Sequence, residues 1–190
     1  MSRILDVYNL IERIANLLSC DVRQHAFAEG LHERQIAFLK YLQICNRYSN
    51  SPQAMSEYFS LTKGAVSQTL NALEEKKLIS KSCDKTDTRR IHLSLSSQGK
   101  KFLAKWDKNF PEISAPMSEQ NSLDLVQLKS LLEQFLLSLQ RQNNNATFGV
   151  CHTCKHFERH AIGTEHRCGL TKEPLSQLDA EKICREHTAL

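Results

Sequence analysis

Apolar residues recur at helical spacing in the first twenty positions, where Ile4, Tyr8, Ile11, Ile14 and Leu18 stand among polar residues. A second amphipathic stretch, from about His32 to Arg47, carries Ile36, Leu39, Leu42 and Cys45. Asn50-Ser51-Pro52 stops that helix and starts another, since Ser51 suits an N-cap and Pro52 the first helical position. The spacing predicts a short helix over about Pro52–Phe59, a polar break at Ser60–Thr62, and a further helix over about Lys63–Lys76. After Leu78 the period changes: Leu78–Cys83 and Arg90–Leu95 read as two short strands joined by the polar turn Asp84-Lys85-Thr86-Asp87-Thr88. Ser96 suits the cap of a helix over about Ser97–Trp106, and Asn109–Asn121, with Pro111 and Pro116, reads as loop. Leu125, Leu128, Leu132, Phe135 and Leu139 then form the stripe of a long helix. Arg141-Gln142-Asn143-Asn144-Asn145 has no apolar content and marks a boundary, so the expected units are 1–142, a linker over 143–149, and 150–190.

The order helix, short helix, turn, helix, two-stranded hairpin is that of a winged helix-turn-helix. The expected fold class is therefore mainly α with a small β-wing, α+β in type. In such a pair the second helix enters the DNA major groove, which is wide enough to admit it. Within Leu61–Leu73, Val66, Leu70 and Leu73 fall on one face of the wheel, and Gly64, Gln68 and Asn71 on the other. Gln and Asn pair bidentately with adenine edges, whereas Thr62, Lys63 and Ser67 near the helix N-terminus suit phosphates. Charge changes the picture further. Leu61–Lys101 holds nine Lys/Arg against four Asp/Glu, a local +5 in a chain whose net charge is +4, so the basic excess sits in this one segment.

Over roughly residues 1–142 the chain resembles the MarR family of bacterial regulators. The resemblance is carried by Leu31-His32-Glu33-Arg34-Gln35 at the second helix, by Leu61–Leu73 as recognition helix, and by Leu73-Glu74-Glu75-Lys76-Lys77-Leu78-Ile79 at its exit. Asp87-Thr88-Arg89-Arg90 at the wing and Leu95-Ser96-Ser97-Gln98-Gly99 at the end of the hairpin complete it. It implies a homodimer built from the N- and C-terminal helices, with two recognition helices on a palindromic operator in double-stranded DNA. It also implies that Arg89 reaches the minor groove from the wing tip beside Arg90, with Asp87 helping to hold it; a narrow minor groove concentrates negative potential. Lys77 is a departure, because the family usually has Gly at that helix exit. In a left-handed conformation Lys there costs about 1 kcal/mol.

Four of the seven cysteines crowd the last forty residues as Cys151, Cys154, Cys168 and Cys184, a C-x2-C-x13-C-x15-C pattern. So short a segment, with few apolar residues, needs a staple to be ordered, and in an intracellular chain clustered thiols read as metal ligands before disulfides. Thiolates suit zinc or an iron–sulfur cluster. The four-cysteine set is similar to small domains that hold a 4Fe–4S centre. The zinc alternative draws on Cys151, Cys154, Cys184 and His187, leaving Cys168 unused. Cys20, Cys45 and Cys83 read as buried or incidental, and His152, His156, His160 and His166 as exposed residues or neighbours of the site rather than ligands.

Asp6, Glu12 and Arg13 break the start of the chain as a secretory signal, no apolar run approaches membrane-spanning length, and the expected compartment is the cytoplasm. With no His/Glu pair at ligand-plus-base spacing, no phosphate-cradling Gly-rich loop and six glycines in all, nothing points to an enzyme such as a metal hydrolase or thiol oxidoreductase. The expectation is a sequence-specific DNA-binding regulator, a repressor in sign, whose operator affinity responds to the C-terminal metal site. The alternative keeps the DNA binding and makes the module a static zinc clip or a docking surface for another protein.

Overall fold

The computed structural model describes residues 2–84, 87, 89–109, 121–142, 146–163 and 165–189. Lys85, Thr86 and Thr88 of the expected wing turn, Pro111 and Pro116 of the expected loop, and Asn143–Asn145 of the expected linker lie outside them.

Helix α1 covers Ser2–Ala28, longer than the stripe ending at Leu18 suggests. Helix α2 (Glu33–Ile44) starts where the side-chain oxygen of Gln35 accepts from the backbone N–H of His32 at 2.9 Å. Helix α3 (Pro52–Tyr58) is capped by Ser51, whose hydroxyl accepts from the N–H of Ala54 at 3.2 Å, and α4 (Lys63–Glu75) by Thr62, which accepts from Ala65 at 3.3 Å. These caps satisfy N–H groups that the first turn of a helix leaves unpaired. Strands β1 (Ile79–Cys83) and β2 (Ile91–Leu95) pair antiparallel with Ile79 opposite Leu95, forming the wing.

Lys77 adopts φ 57°, the left-handed conformation that its place at the exit of α4 implies. Helix α5 (Ser97–Asn109) follows at once, its first turn held by Ser96, which accepts from Gly99 N–H at 2.9 Å. A Cβ on Gly99 would meet the carbonyl oxygen of Leu78 at 2.1 Å, so the close approach of α5 to the start of the wing demands glycine.

The core joins Ile36, Phe38, Leu39 and Leu42 of α2 to Ala54 and Met55 of α3. Val66, Leu70 and Leu73 of α4, Leu93 of the wing, and Leu103 and Trp106 of α5 close it. Val66, Leu70 and Leu73 are buried as the wheel predicts. Helix α6 (Ser122–Gln142) has no buried residue, and Leu123, Val126, Leu131 and Phe135 are exposed together. In α1, Ile4, Leu5, Leu10 and Leu17 are exposed likewise. Neither stripe is spent on the core of its own chain.

The C-terminal unit opens with a 3-10 turn at Cys151–Thr153. A three-stranded antiparallel sheet follows, in the order β3 (Phe157–Ile162), β4 (Glu165–Cys168), β5 (Pro174–Leu175), and then the single-turn helix α7 (Gln177–Ala180), capped by Ser176. Its interior is small: among the described residues from 150 onward, Cys151, His166, Leu175 and Ala180 are the buried ones. The unit does not stand apart from the winged helix. Ile183 lies parallel to Cys45, and Phe148, at φ 46° and 7% exposed, enters the main core against Tyr58 and Tyr41.

Candidate nucleic-acid interface and cysteine cluster

The solvent face of α4 presents Thr62, Lys63, Gly64, Ser67, Gln68 and Asn71, all exposed. Nothing approaches Gly64 within 4 Å of where a Cβ would stand, so that face is open. Thr62 lends its oxygen to the cap, which leaves its O–H free to donate outward. Asn71 is engaged already: Lys81 of β1 donates to its oxygen at 2.6 Å and pairs with Glu74 at 2.7 Å. Gln68 therefore has the freer amide of the two.

On the wing, Arg89 and Arg90 extend into solvent, with side chains 90% and 76% exposed. Asp87 accepts from the Nε and the backbone N–H of Arg89, at 3.0 and 3.2 Å. That hydrogen bond from Arg89 holds the Asp87 carboxyl below its ordinary pKa. Lys63, Arg89 and Arg90 share the walls of one open cleft of about 1020 Å³ with Arg47 and Arg185. The last two were absent from the sequence-based site; Arg185 comes from the C-terminal unit, and no local pattern announces it.

Cys151, Cys154, Cys168 and Cys184 line a second, small and mostly apolar cavity together with His156, Phe157, Leu170 and Tyr48. Segments far apart in the chain thus bring all four thiols to one place. Among the described residues no three His, Cys, Asp or Glu side chains gather as tightly as a single metal ion requires. Burial first, and then the neighbouring thiols of Cys184, Cys168 and Cys154, push the Cys151 pKa up to about 12. Four anionic sulfurs here would repel one another, and a bound cation would relieve that. Donors to sulfur are in place: Thr188 N–H reaches the Cys154 sulfur at 3.4 Å. Asn46, from the winged-helix unit, has a buried Nδ2 without a well-formed hydrogen bond. It lies near enough to Cys184 to favour its thiolate, although burial raises that pKa on balance. In donor chemistry and in these facing N–H groups the residues fit a thiolate-bound metal group.

His187 does not line this cavity. Its Nδ1 faces Thr147 Oγ1 at 2.8 Å, its Nε2 faces Thr153 Oγ1 at 3.0 Å, and Gly149 packs against the ring. His166 is buried beside Phe157 and His160, while His152 bonds to the carbonyl of Ala180 at 3.1 Å. Cys20 and Cys83 are exposed, and Cys45 is buried with its pKa pushed up to about 11 by that burial.

Residues 28–106 match the family described as transcriptional regulator SarA/Rot. Among solved structures, the chain is similar to Staphylococcus aureus MepR in its complex with DNA, at 25% identity and a TM-score of 0.59 over 69% of this chain and 96% of that one. MepR in its DNA-binding conformation is similar at 26% identity and a TM-score of 0.61, over 70% and 98% of the two chains. The regulator SlyA, at 15% identity, shares the fold, with a TM-score of 0.61 over 72% of this chain and 96% of its own. No curated protein matches significantly. None of the described helices is long and apolar enough to cross a membrane. Residues 28–106 therefore match the model of the SarA/Rot transcriptional regulators, and the chain shares the winged helix-turn-helix fold of the regulators MepR and SlyA.

Proposed function

We propose that the protein is a homodimeric, sequence-specific regulator, a repressor in sign and cytoplasmic, whose operator affinity is set by a metal group on Cys151, Cys154, Cys168 and Cys184. The carrying observation is that these four thiols line one cavity pressed against the reading head. Exposed apolar stripes on α1 and α6, the helices that build the dimer in the resembling family, support self-association, since patches of that kind are usually covered by a partner. Gln68 and Asn71 read base edges, Thr62, Lys63, Gly64 and Ser67 meet the backbone, and Arg89 and Arg90 serve the minor groove; MepR, a similar protein, is known in complex with DNA.

Two features favour an iron–sulfur cluster over zinc. A tetrahedral zinc with bonds of about 2.3 Å draws its sulfurs to within about 3.8 Å of one another, whereas these thiols are set around a cavity rather than gathered on one point. The set that would use His187 requires a ring whose two nitrogens already face threonine hydroxyls. The test is metal and sulfide content per monomer, with operator affinity, for wild type, Cys168→Ala and His187→Ala handled anaerobically. Cys168→Ala should lose the metal and change affinity, and His187→Ala should keep it. Equal affinities for metal-loaded and metal-free wild type would reject metal control and leave a structural clip.

A further inference from the structure

Two residues of the C-terminal unit, Ile183 and Arg185, are tied to the winged helix, and the residue between them is a cysteine of the cluster. Ile183 accepts from Asn46 N–H at 2.9 Å and donates its own N–H to the carbonyl of Ile44 at 3.0 Å. Arg185 donates its backbone N–H to Ser49 Oγ at 2.8 Å. Its guanidinium grips Glu57 of α3 with both Nε and Nη2, at 2.5 and 2.8 Å. Between these anchors stands Cys184.

The turn that receives them is rigid. Asn46 Oδ1 accepts from Tyr48 N–H at 3.1 Å and from Ser49 Oγ at 2.8 Å, which fixes the amide with its unsatisfied Nδ2 buried. Tyr48 from the same turn forms part of the thiol cavity's wall and hydrogen-bonds to Glu173. One residue of chain spans no more than about 3.6 Å. A shift of the Cys184 backbone therefore has no slack in which to vanish before it reaches Arg185, and Arg185 holds the first helix of the helix-turn-helix.

We propose that Asn46 and the Arg185–Glu57 pair make the cysteine site and the reading head one coupled unit: Asn46 holds the turn that receives Ile183 and Arg185 on either side of Cys184, and Arg185 carries a shift at Cys184 to α3. The proposal takes the metal reading above only as the source of the signal; the mechanical link is independent of it. Coupling between two sites is reciprocal. If occupancy of the cysteine site changes operator affinity by some factor, operator binding changes metal affinity by the same factor, and a change in α3 that releases Arg185 reaches Cys184 along the same link.

The test uses the full chain as wild type, Glu57→Gln and Asn46→Ala. Each is prepared metal-free, or loaded anaerobically with ferrous iron and sulfide or with Zn2+. Iodoacetamide labelling of individual cysteines is followed by mass spectrometry, alongside metal retention and operator affinity. In the metal-free protein Glu57→Gln should speed labelling of Cys184 by about fivefold or more, within the ordinary range of site coupling, and leave Cys168 unchanged. In the loaded protein it should shrink the affinity difference between loaded and metal-free forms, and Asn46→Ala should weaken metal retention. Wild-type labelling of both cysteines in Glu57→Gln overturns the proposal, and so does faster labelling of all seven thiols, which reports general loosening. If wild type takes up neither iron–sulfur nor zinc while Cys184 still responds to Glu57→Gln, the link stands and the metal reading falls.

Discussion

Phe148→Ala measures how firmly the C-terminal unit is seated on the winged helix. The ring is nearly fully buried and meets Tyr58 edge-on at 5.1 Å and Tyr41 at 6.4 Å between centroids. Transfer of a phenylalanine side chain from water contributes about 1.5–3 kcal/mol. The cavity left in a packed site brings the cost of Phe→Ala to about 3–5 kcal/mol. The backbone adds a second, separable quantity. At φ 46° a non-glycine residue costs about 1–2 kcal/mol, a cost that alanine keeps and glycine escapes. Glycine in turn gains about 0.4–1 kcal/mol of freedom in the unfolded chain, so Phe148→Gly should be more stable than Phe148→Ala by about 0.5–1 kcal/mol. Urea unfolding followed by the single tryptophan, Trp106, gives both values. It must be run at one protein concentration, because the proposed dimerisation would contribute to stability by mass action. A loss below about 1 kcal/mol for Phe148→Ala would refute the docking of this unit on α2 and α3. Phe148→Gly less stable than Phe148→Ala would refute the left-handed backbone.

Gln68→Ala should relax sequence preference at a cost of about 1–3 kcal/mol on the cognate site, while Arg89→Ala should weaken cognate and scrambled duplexes by similar factors. A salt series on both duplexes measures this, and unchanged discrimination in Gln68→Ala would displace α4 as the reading helix. Gly99→Ala should destabilise the fold by about 1–3 kcal/mol through overpacking, since its methyl would collide with the Leu78 carbonyl. Thermal unfolding at wild-type stability would show that α5 sits farther from the wing.

The reading head was legible because each of its elements is announced locally. Ser51-Pro52 starts α3, and Val66, Leu70 and Leu73 repeat at helical spacing. The left-handed exit at Lys77 was legible only through the resemblance, which puts a glycine there, and Lys77 adopts it at φ 57°. Helix α1 was underestimated because its later positions, Val22 and Ala26, carry small or partly buried side chains that weaken the stripe while keeping its spacing. The docking of the C-terminal unit left no such trace. The polar run from Arg141 correctly lacks apolar residues, but composition at a connection says nothing about whether the chain beyond it packs back. The contacts that bring it back are an arginine on a glutamate, backbone bonds to Ile183 and one aromatic ring, and none of these is periodic. Those contacts run from the turn at 45–49 into α3, a path that no periodic pattern in the sequence announces.

The exposed stripes at the two ends of the chain set a schedule for biosynthesis. Helix α1 leaves the ribosome with Ile4, Leu5, Leu10 and Leu17 uncovered, and the segment from Ala28 to Ser122 must be made before α6 begins to emerge. At common rates of translation that interval is about 5–20 s. Throughout it that apolar face is open to any hydrophobic neighbour, and in the proposed dimer its closure needs two finished chains rather than one. Arg3, Asp6, Glu12 and Arg13, all solvent-facing, interrupt the stripe with charge of both signs. They act as gatekeepers for a nascent helix that has nothing yet to hold.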